Sequence, residues 1–317
     1  MNQNADSNLL AAYLAHLLQQ RQLSALTVSS YRRDLEQLQA LLPDTNWHTI
    51  APAHIRRISA QLHAQGLSPR SVARKLSSWR GFFEWLSKQK DQAPLSSNPA
   101  QGVKGPKRSK PLPKALGVDD SVHLVSARPS PALEAIPAAS AACNRAMFEL
   151  LYSSGLRVSE LCALDFRYHS GPPASQGWID LTEREVTVTG KGNKMRRVPI
   201  GQAALDALQD WLQQRALLAK PDEAALFVNE RSNRISPRLV QLRLKTHAQQ
   251  QSMPTHVHPH MLRHSFASHV LQSSGDLRAV QEMLGHSSIA STQVYTALDF
   301  QHLSQVYDVA HPRAKRK

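Results

Sequence analysis

The stretch Glu185-Val186-Thr187-Val188-Thr189-Gly190-Lys191-Gly192-Asn193-Lys194, returning through Arg197-Val198-Pro199-Ile200, interrupts a chain that otherwise reads as helix. Val186 and Val188 alternate with Glu185, Thr187 and Thr189, the period-two pattern of a strand with one buried face. The glycines and Asn193 supply turn chemistry, so the segment predicts a β-hairpin with Lys191 at or near its tip. The flanking sequence carries helical spacing, and the predicted fold class is therefore α+β: mostly α, with a small β-hairpin or sheet.

Working outward, the first third predicts four short amphipathic helices. Leu9, Tyr13 and Leu17 share one face of a helix capped by Ser7 or Asn8 and ending near Arg21. Tyr31, Leu35, Leu38 and Leu42 mark a second, opened by Thr27 or Ser29. Pro52 starts a third, with Ile55, Ile58 and Leu62 inward and Gly66 just past its end. Ser68-Pro69 caps a fourth that carries Val72, Leu76, Phe83 and Leu86, while Arg70, Arg74, Lys75, Arg80 and Lys88 lie on its other faces. Together they predict an N-terminal four-helix domain over 1–95. A Pro/Gly-rich linker follows over 96–113, in which Lys104, Lys107, Arg108 and Lys110 have no acidic neighbour. A second domain is expected over 114–300, with a tail over 301–317.

A chain of 317 residues suits two domains, and 41% hydrophobic residues exclude wholesale disorder. The 38 Lys+Arg outnumber 24 Asp+Glu, giving +14 and pointing to a polyanionic partner. That balance nominates Arg70, Arg74, Lys75, Arg80 and the four linker cations as phosphate contacts. No apolar run approaches the roughly 20 residues of a membrane span, and the first residues lack a basic, signal-type start. Cys143 and Cys162 are too few for a disulfide framework and read as reduced thiols. A cytoplasmic protein without membrane contact is the expectation.

Three further segments carry chemistry: Ser154-Gly155-Leu156-Arg157-Val158-Ser159-Glu160-Leu161, His260-Met261-Leu262-Arg263-His264, and Leu284-Gly285-His286 with Tyr295 nine residues on. Gly155 permits close approach of a backbone or phosphate. Pro259 at a helix start puts His260 and Arg263 on one face, predicted to line a cleft, with Leu262, Phe266 and Val270 inward and Ser274-Gly275 at the end. Gly285 closes a helix bearing Leu277, Val280 and Leu284, and Ser287 or Ser288 caps the next, on which Tyr295 rides. The His260-x-x-x-His264 spacing has the form of a zinc site, but the metalloprotease glutamate is missing and Arg263 sets a fixed cation there. No metal and no cofactor are expected. Taken together the groups suit tyrosine attack on a phosphodiester. Two guanidiniums hold the non-bridging oxygens as charge builds. A base near the tyrosine (His260) and an acid for the departing alkoxide (Lys191) complete the step, and His286 adds a hydrogen bond.

With these motifs the chain resembles the tyrosine recombinase (phage integrase) family, and within it the bacterial Xer recombinases, whose tail the segment 298–317 also resembles. The resemblance implies that the four-helix domain over 1–95 is a DNA-binding domain and that 114–300 is a catalytic domain, with Tyr295 as nucleophile of a 3′-phosphotyrosyl link. It gives Arg157 and Arg263 to the scissile phosphate, Lys191 as general acid, His260 as general base and His286 as phosphate support. It further implies a double-stranded recombination site, a sister (XerD-like) recombinase in a heterotetramer, and a DNA translocase of the division septum (FtsK-like). The task implied is the resolution of chromosome and plasmid multimers, with 301–317 docking on a neighbouring protomer. A type IB-like topoisomerase, a phage or transposon integrase, and a non-catalytic DNA-binding relative are the alternatives. The connection 166–178 is longer than the family pattern, and 127–142 is unusually rich in Ala and Pro.

Overall fold

A computed structural model of the chain describes residues 3–89, 95, 97–107, 115–127, 137–190, 194–253 and 256–285. The chain divides into two compact units, Met1–Pro111 and Leu112–Lys317. Arg108, Lys110, Lys191, His286, Tyr295 and the tail 301–317 lie outside the described residues.

The first unit holds helices α1 (Gln3–Gln19), α2 (Ala25–Ala40), α3 (Pro52–Ala64) and α4 (Pro69–Leu86). Helix α1 begins ahead of the expected Ser7 or Asn8 cap, and Asp6 is instead buried, its carbonyl accepting the Trp47 indole N–H at 3.1 Å. Helix α2 also begins early, because Ser24 rather than Thr27 or Ser29 is its cap: the Ser24 hydroxyl accepts the Thr27 N–H at 3.2 Å. Helices α3 and α4 start at their prolines as expected, and Gly66 takes a φ of +92° past the end of α3. Val72, Leu76, Trp79, Phe82, Phe83 and Leu86 of α4 are buried against Leu35, Leu38, Ile55, Ile58 and Leu62. Trp47 meets Phe82 edge-on at 4.7 Å, and the Trp79 N–H donates to the Asp34 carbonyl at 3.0 Å.

Three cations on α4 have internal partners, which corrects the expectation that they all face phosphate. Lys75 is buried, with Nζ 2.8 Å from Asp34 Oδ1 and 2.5 Å from Gln37 Oε1. Arg74 grips the same carboxylate with both Nη atoms, Nη2 lying 2.8 Å from Oδ1. Arg80 donates to the carbonyls of Ala100 at 3.0 Å and Val103 at 2.5 Å. Ala100 and Val103, inside the stretch expected as linker, are themselves buried in this core. For Arg74 and Lys75 the physical reason is that α2 brings a carboxylate to the seam with α4, and a buried carboxylate draws cations inward; Arg80 is held instead by backbone carbonyls of the segment that folds back against α4. Arg70, Lys104 and Lys107 are exposed.

The second unit contains α5 (Val118–Ser126), α6 (Ala138–Ser153), α7 (Val158–Cys162), β1 (Gly177–Asp180), β2 (Glu185–Thr189), β3 (Met195–Pro199), α8 (Gln202–Leu218), α9 (Pro237–Gln250), α10 (Pro259–Ser274) and α11 (Leu277–Leu284). The expected hairpin is β2–β3, paired antiparallel with Val186 opposite Val198 and Val188 opposite Arg196. Strand β1 extends it to three strands in the order β1-β2-β3. Met147, Phe148, Leu150 and Leu151 of α6 are buried with Leu205, Leu208 and Trp211 of α8, and the Trp211 N–H donates to the Leu226 carbonyl at 2.8 Å. Asp119 and Asp120 lie in the first turn of α5, whose N-cap is Gly117. The connection 166–178 is held at its root: Arg234 pairs with Asp165 at 2.5 Å, and the Asp165 N–H donates to the Gly177 carbonyl at 2.8 Å. Cys143 and Cys162 are free and buried, and burial pushes both thiols up to about 12. Among the described residues no helix is long and apolar enough to cross a membrane.

The Asp34 cluster gives a direct test. Removing one partner of a buried ion cluster leaves an uncompensated charge, here Lys75, at a cost of about 3 kcal/mol or more. Asp34→Asn is expected to lower the urea midpoint of the first unit by that equivalent, followed by tryptophan fluorescence. An unshifted midpoint would make the cluster ornamental.

Candidate active site

Helix α6 ends at Ser153, and Ser154 donates its hydroxyl to the Pro199 carbonyl at 2.9 Å, joining the helix end to β3. Gly155 follows with φ +57°, and a Cβ built there would lie 2.3 Å from Cδ1 of Phe266 on α10. Glycine is demanded twice, by the left-handed backbone and by the ring against it. The Gly155 carbonyl accepts Arg263 Nη1 at 2.6 Å.

Arg157 is the N-cap residue of α7, and its own N–H donates to Glu160 Oε2 at 2.8 Å. Its guanidinium Nη1 donates to Glu160 Oε1 at 2.6 Å, and Nη2 reaches the Gly285 carbonyl at 3.5 Å. Arg196, on β3, takes the same carboxylate as a fork: Nη1 to Oε1 at 2.9 Å, Nη2 to Oε2 at 2.8 Å. Its Nε donates to the Met283 carbonyl at 2.7 Å. Arg263 stands 3.9 Å from Glu160 Oε2 and donates Nη2 to the Leu284 carbonyl at 2.6 Å. Three arginines thus hold three consecutive carbonyls at the C-terminal end of α11, the negative pole of its dipole. Burial alone would raise the Glu160 carboxyl, but hydrogen bonds and charge from Arg196, and then from Arg157, outweigh it and hold the group below the usual carboxylate range.

Arg157 and Arg263, predicted as a pair, therefore converge, and with Arg196 they set three cations around one carboxylate. Such an excess of planar donors is suited to a phosphodiester, whose non-bridging oxygens it can neutralise. One expectation is corrected. His260 and Arg263 do not form an exposed pair: His260 is exposed, whereas the Arg263 side chain is only 6% exposed, because the end of α11 covers its guanidinium. His258, given no role by the sequence, caps α10, its Nδ1 accepting the Met261 N–H at 3.2 Å. Lys191, His286 and Tyr295 lie outside the described residues; Gly190 and Gly285, next to Lys191 and His286 in the chain, both lie against Arg196. Gly190 N–H donates to the Lys194 carbonyl at 2.8 Å, and Gly285 closes α11 in the left-handed region, φ +61°.

Sequence reasoning missed Glu160 and Arg196. Glu160 was legible as the third residue after Arg157 at a helix start, the position from which a carboxylate reaches back to the cap N–H. Arg196 was legible as a cation two residues before buried Val198, hence on the inward face of its strand.

Four histidines in this unit answer to acid. Burial lowers His247, His258, His264 and His269, first by desolvation. His269 Nε2 lies 3.0 Å from the Leu116 carbonyl and Nδ1 2.9 Å from the Tyr152 hydroxyl, which suits a neutral ring donating from Nε2. A depressed folded value means that their stabilisation is present above the unfolded value of about 6.5 and is lost as pH falls below it. Glu149, raised by burial, acts in the opposite sense and is outnumbered. The urea midpoint of the second unit is expected to be lower at pH 5.5 than at pH 7.5, and equal midpoints would refute this.

Residues 131–302 match the family model described as "Phage integrase family", and residues 10–90 match "Phage integrase, N-terminal SAM-like domain". The chain is 51% identical to "Tyrosine recombinase XerC 1" of Ralstonia nicotianae, over 97% of this chain and 94% of that relative. It is 52% identical to "Tyrosine recombinase XerC" of Ralstonia pickettii with the same coverage. Among solved structures, XerH bound to its palindromic difH substrate, in a post-cleavage complex, shares the fold with a TM-score of 0.69 at 21% identity, over 91% of this chain and 81% of that one.

Proposed function

The chain belongs to the phage integrase family, and we propose that within it Arg157, Lys191, His260, Arg263, His286 and Tyr295 form the active site of an XerC-type recombinase. It is a site-specific tyrosine recombinase, an enzyme that cuts and rejoins DNA through a covalent tyrosine intermediate. The observation that supports the assignment of residues is the convergence of Arg157 and Arg263 beside Glu160 at the end of α11.

In this reading Tyr295 Oη attacks the scissile phosphorus and the 5′ oxygen departs, leaving a 3′-phosphotyrosyl bond. His260, at the exposed start of α10, takes the tyrosine proton, and Lys191 returns a proton to the departing alkoxide. A tyrosine hydroxyl of ordinary pKa near 10 needs that base at neutral pH. Arg157 and Arg263 hold the two non-bridging oxygens as phosphorus becomes five-coordinate, and His286 adds a hydrogen bond there. The reverse sequence, with a 5′ hydroxyl from a second duplex as nucleophile, joins the strands anew. Arg70, Lys104 and Lys107, exposed on the first unit, with Arg108 and Lys110, bind the DNA backbone.

The recombination site is double-stranded DNA, and the enzyme shares it with a XerD-like sister in a heterotetramer, under an FtsK-like translocase of the division septum. It resolves chromosome and plasmid multimers at cell division, in the cytoplasm. The tail 301–317 docks on the neighbouring protomer.

Covalent trapping on a nicked suicide duplex tests the chemistry. Tyr295→Phe is expected to lose all covalent product on a denaturing gel while binding the duplex as before, since only the hydroxyl is removed. A Phe variant still linked to DNA would dismiss Tyr295 as nucleophile. Arg263→Lys is expected to lose on the order of 3 kcal/mol of transition-state stabilisation, the scale of one oxyanion-type donor, because an ammonium lacks the planar fork. Cleavage at the parent rate by that variant would count against phosphate binding by Arg263.

A further inference from the structure

The Glu160 carboxylate offers about four acceptor sites. Arg196 fills two of them, and the Arg157 N–H and Arg157 Nη1 fill the others. Arg263 is held off at 3.9 Å, outside hydrogen-bond distance. Arg196 is itself locked in place. Its side chain is 11% exposed and its Nε bonds the Met283 carbonyl. Two glycines close over it: a Cβ at Gly285 would meet its Cδ at 3.1 Å, and one at Gly190 would meet its Nη1 at 3.3 Å.

From this geometry we propose that Arg196 is a positioning residue for DNA cleavage: it fills the remaining acceptor sites of Glu160, so that Arg157 gives this carboxylate only one guanidinium nitrogen and Arg263 gives it none, which leaves their other donors for the phosphate. The inference rests on the assignment of Arg157 and Arg263 to the scissile phosphate. Without Arg196, two acceptor sites of a buried anion lose their donors. A buried, unsatisfied carboxylate oxygen is costly, and the nearest cations are the two that the phosphate needs. Arg263 then closes on Glu160 and Arg157 gives it a second guanidinium donor, so the field presented to the phosphate weakens while the protein's overall affinity for DNA, set by many backbone contacts, changes little. A lysine at 196 restores charge but fills one site instead of two.

The test compares single-turnover covalent trapping on two nicked duplexes carrying the sequence that the protein itself selects from random DNA. One has an ordinary scissile phosphodiester. The other has a methylphosphonate there, one negative charge poorer and so less dependent on guanidinium placement. On the phosphodiester, Arg196→Ala is expected to cleave about a hundredfold more slowly, the scale of an approximately 1 Å misplacement of catalytic groups, with duplex binding unchanged. On the methylphosphonate the deficit should shrink to within about threefold of the parent, an outcome that mere loss of structure does not produce. Arg157→Ala is the control for the underlying assignment. If it cleaves the phosphodiester normally, the active-site reading itself fails. If it behaves as a phosphate ligand while Arg196→Ala shows the same deficit on both duplexes, or none on either, only the role given to Arg196 is overturned. Glu160→Gln placed in the Arg196→Ala background removes the unshielded charge and is expected to recover part of the phosphodiester rate; no recovery would overturn the proposal. Should Arg196→Ala melt early, Arg196→Lys takes its place, with a smaller deficit expected on the phosphodiester alone and a refutation if both duplexes suffer equally.

Discussion

The second unit turns on one buried carboxylate. Glu160 is 5% exposed at its side chain, and an ionised carboxylate that far from water is tolerable only with its acceptor sites filled. The donors that fill them come from the start of α7 and from β3, while α10 contributes a third cation at the edge. Residues more than a hundred positions apart in sequence are thereby drawn to one point. The same arginines then reach over to the last carbonyls of α11, so its end is set by the carboxylate cluster as well as by its own packing. Local capping, strand register and helix dipole all serve this one requirement.

A second constraint is steric. Phe266 packs so closely on Gly155 that no side chain fits there, and the positive φ turns the Gly155 carbonyl toward Arg263. The motif Gly155-Leu156-Arg157 therefore brings backbone and side chain to bear on the same place. Gly155 provides an acceptor for one arginine, Leu156 is fully buried, and Arg157 begins the helix that carries Glu160. Exchanging the glycine for alanine would disturb the Arg263 guanidinium through its carbonyl partner, without touching any charged group.

Much of this was legible in the chain because its signals are local. Pro52, Ser68-Pro69 and Pro259 mark helix starts, Gly275 and Gly285 mark ends, and the Val186/Val188 alternation marks a strand, each within a few residues. Arg157 and Arg263 were legible as a pair through their motifs. What escaped were facts of partnership. Nothing near Lys75 announces Asp34 some forty residues earlier, and nothing near Arg80 announces that the expected linker folds back under it. Strand β1 escaped because Gly177-Trp178-Ile179-Asp180 is too short to show a period and is recognisable as strand only beside β2. The burial of Arg263 escaped because it depends on where the end of α11 comes to rest.

The pairing of cations inside the fold also changes what the net charge of +14 means. Carboxylates inside the fold cancel only part of the positive charge around them: Asp34 offsets one of the two charges of Arg74 and Lys75, and Glu160 one of the three of Arg157, Arg196 and Arg263. Cations bonded to carbonyls behave differently. Arg80 and Arg215 keep their charge while Arg80 binds Ala100 and Val103 and Arg215 binds Ala225 and Glu223, so they add to the field at a distance but have fewer donors left for a phosphate oxygen. Overall charge therefore speaks for attraction to a polyanion, which acts over a Debye length of about 10 Å, and says little about which side chains touch it. Contact requires exposed donors, and on the first unit Arg70, Lys104 and Lys107 meet that condition where Lys75 does not. The same distinction separates the two roles at the candidate active site: Arg196 is committed to Glu160 and Met283, whereas Arg157, 29% exposed, keeps a face toward solvent from which a phosphate can approach.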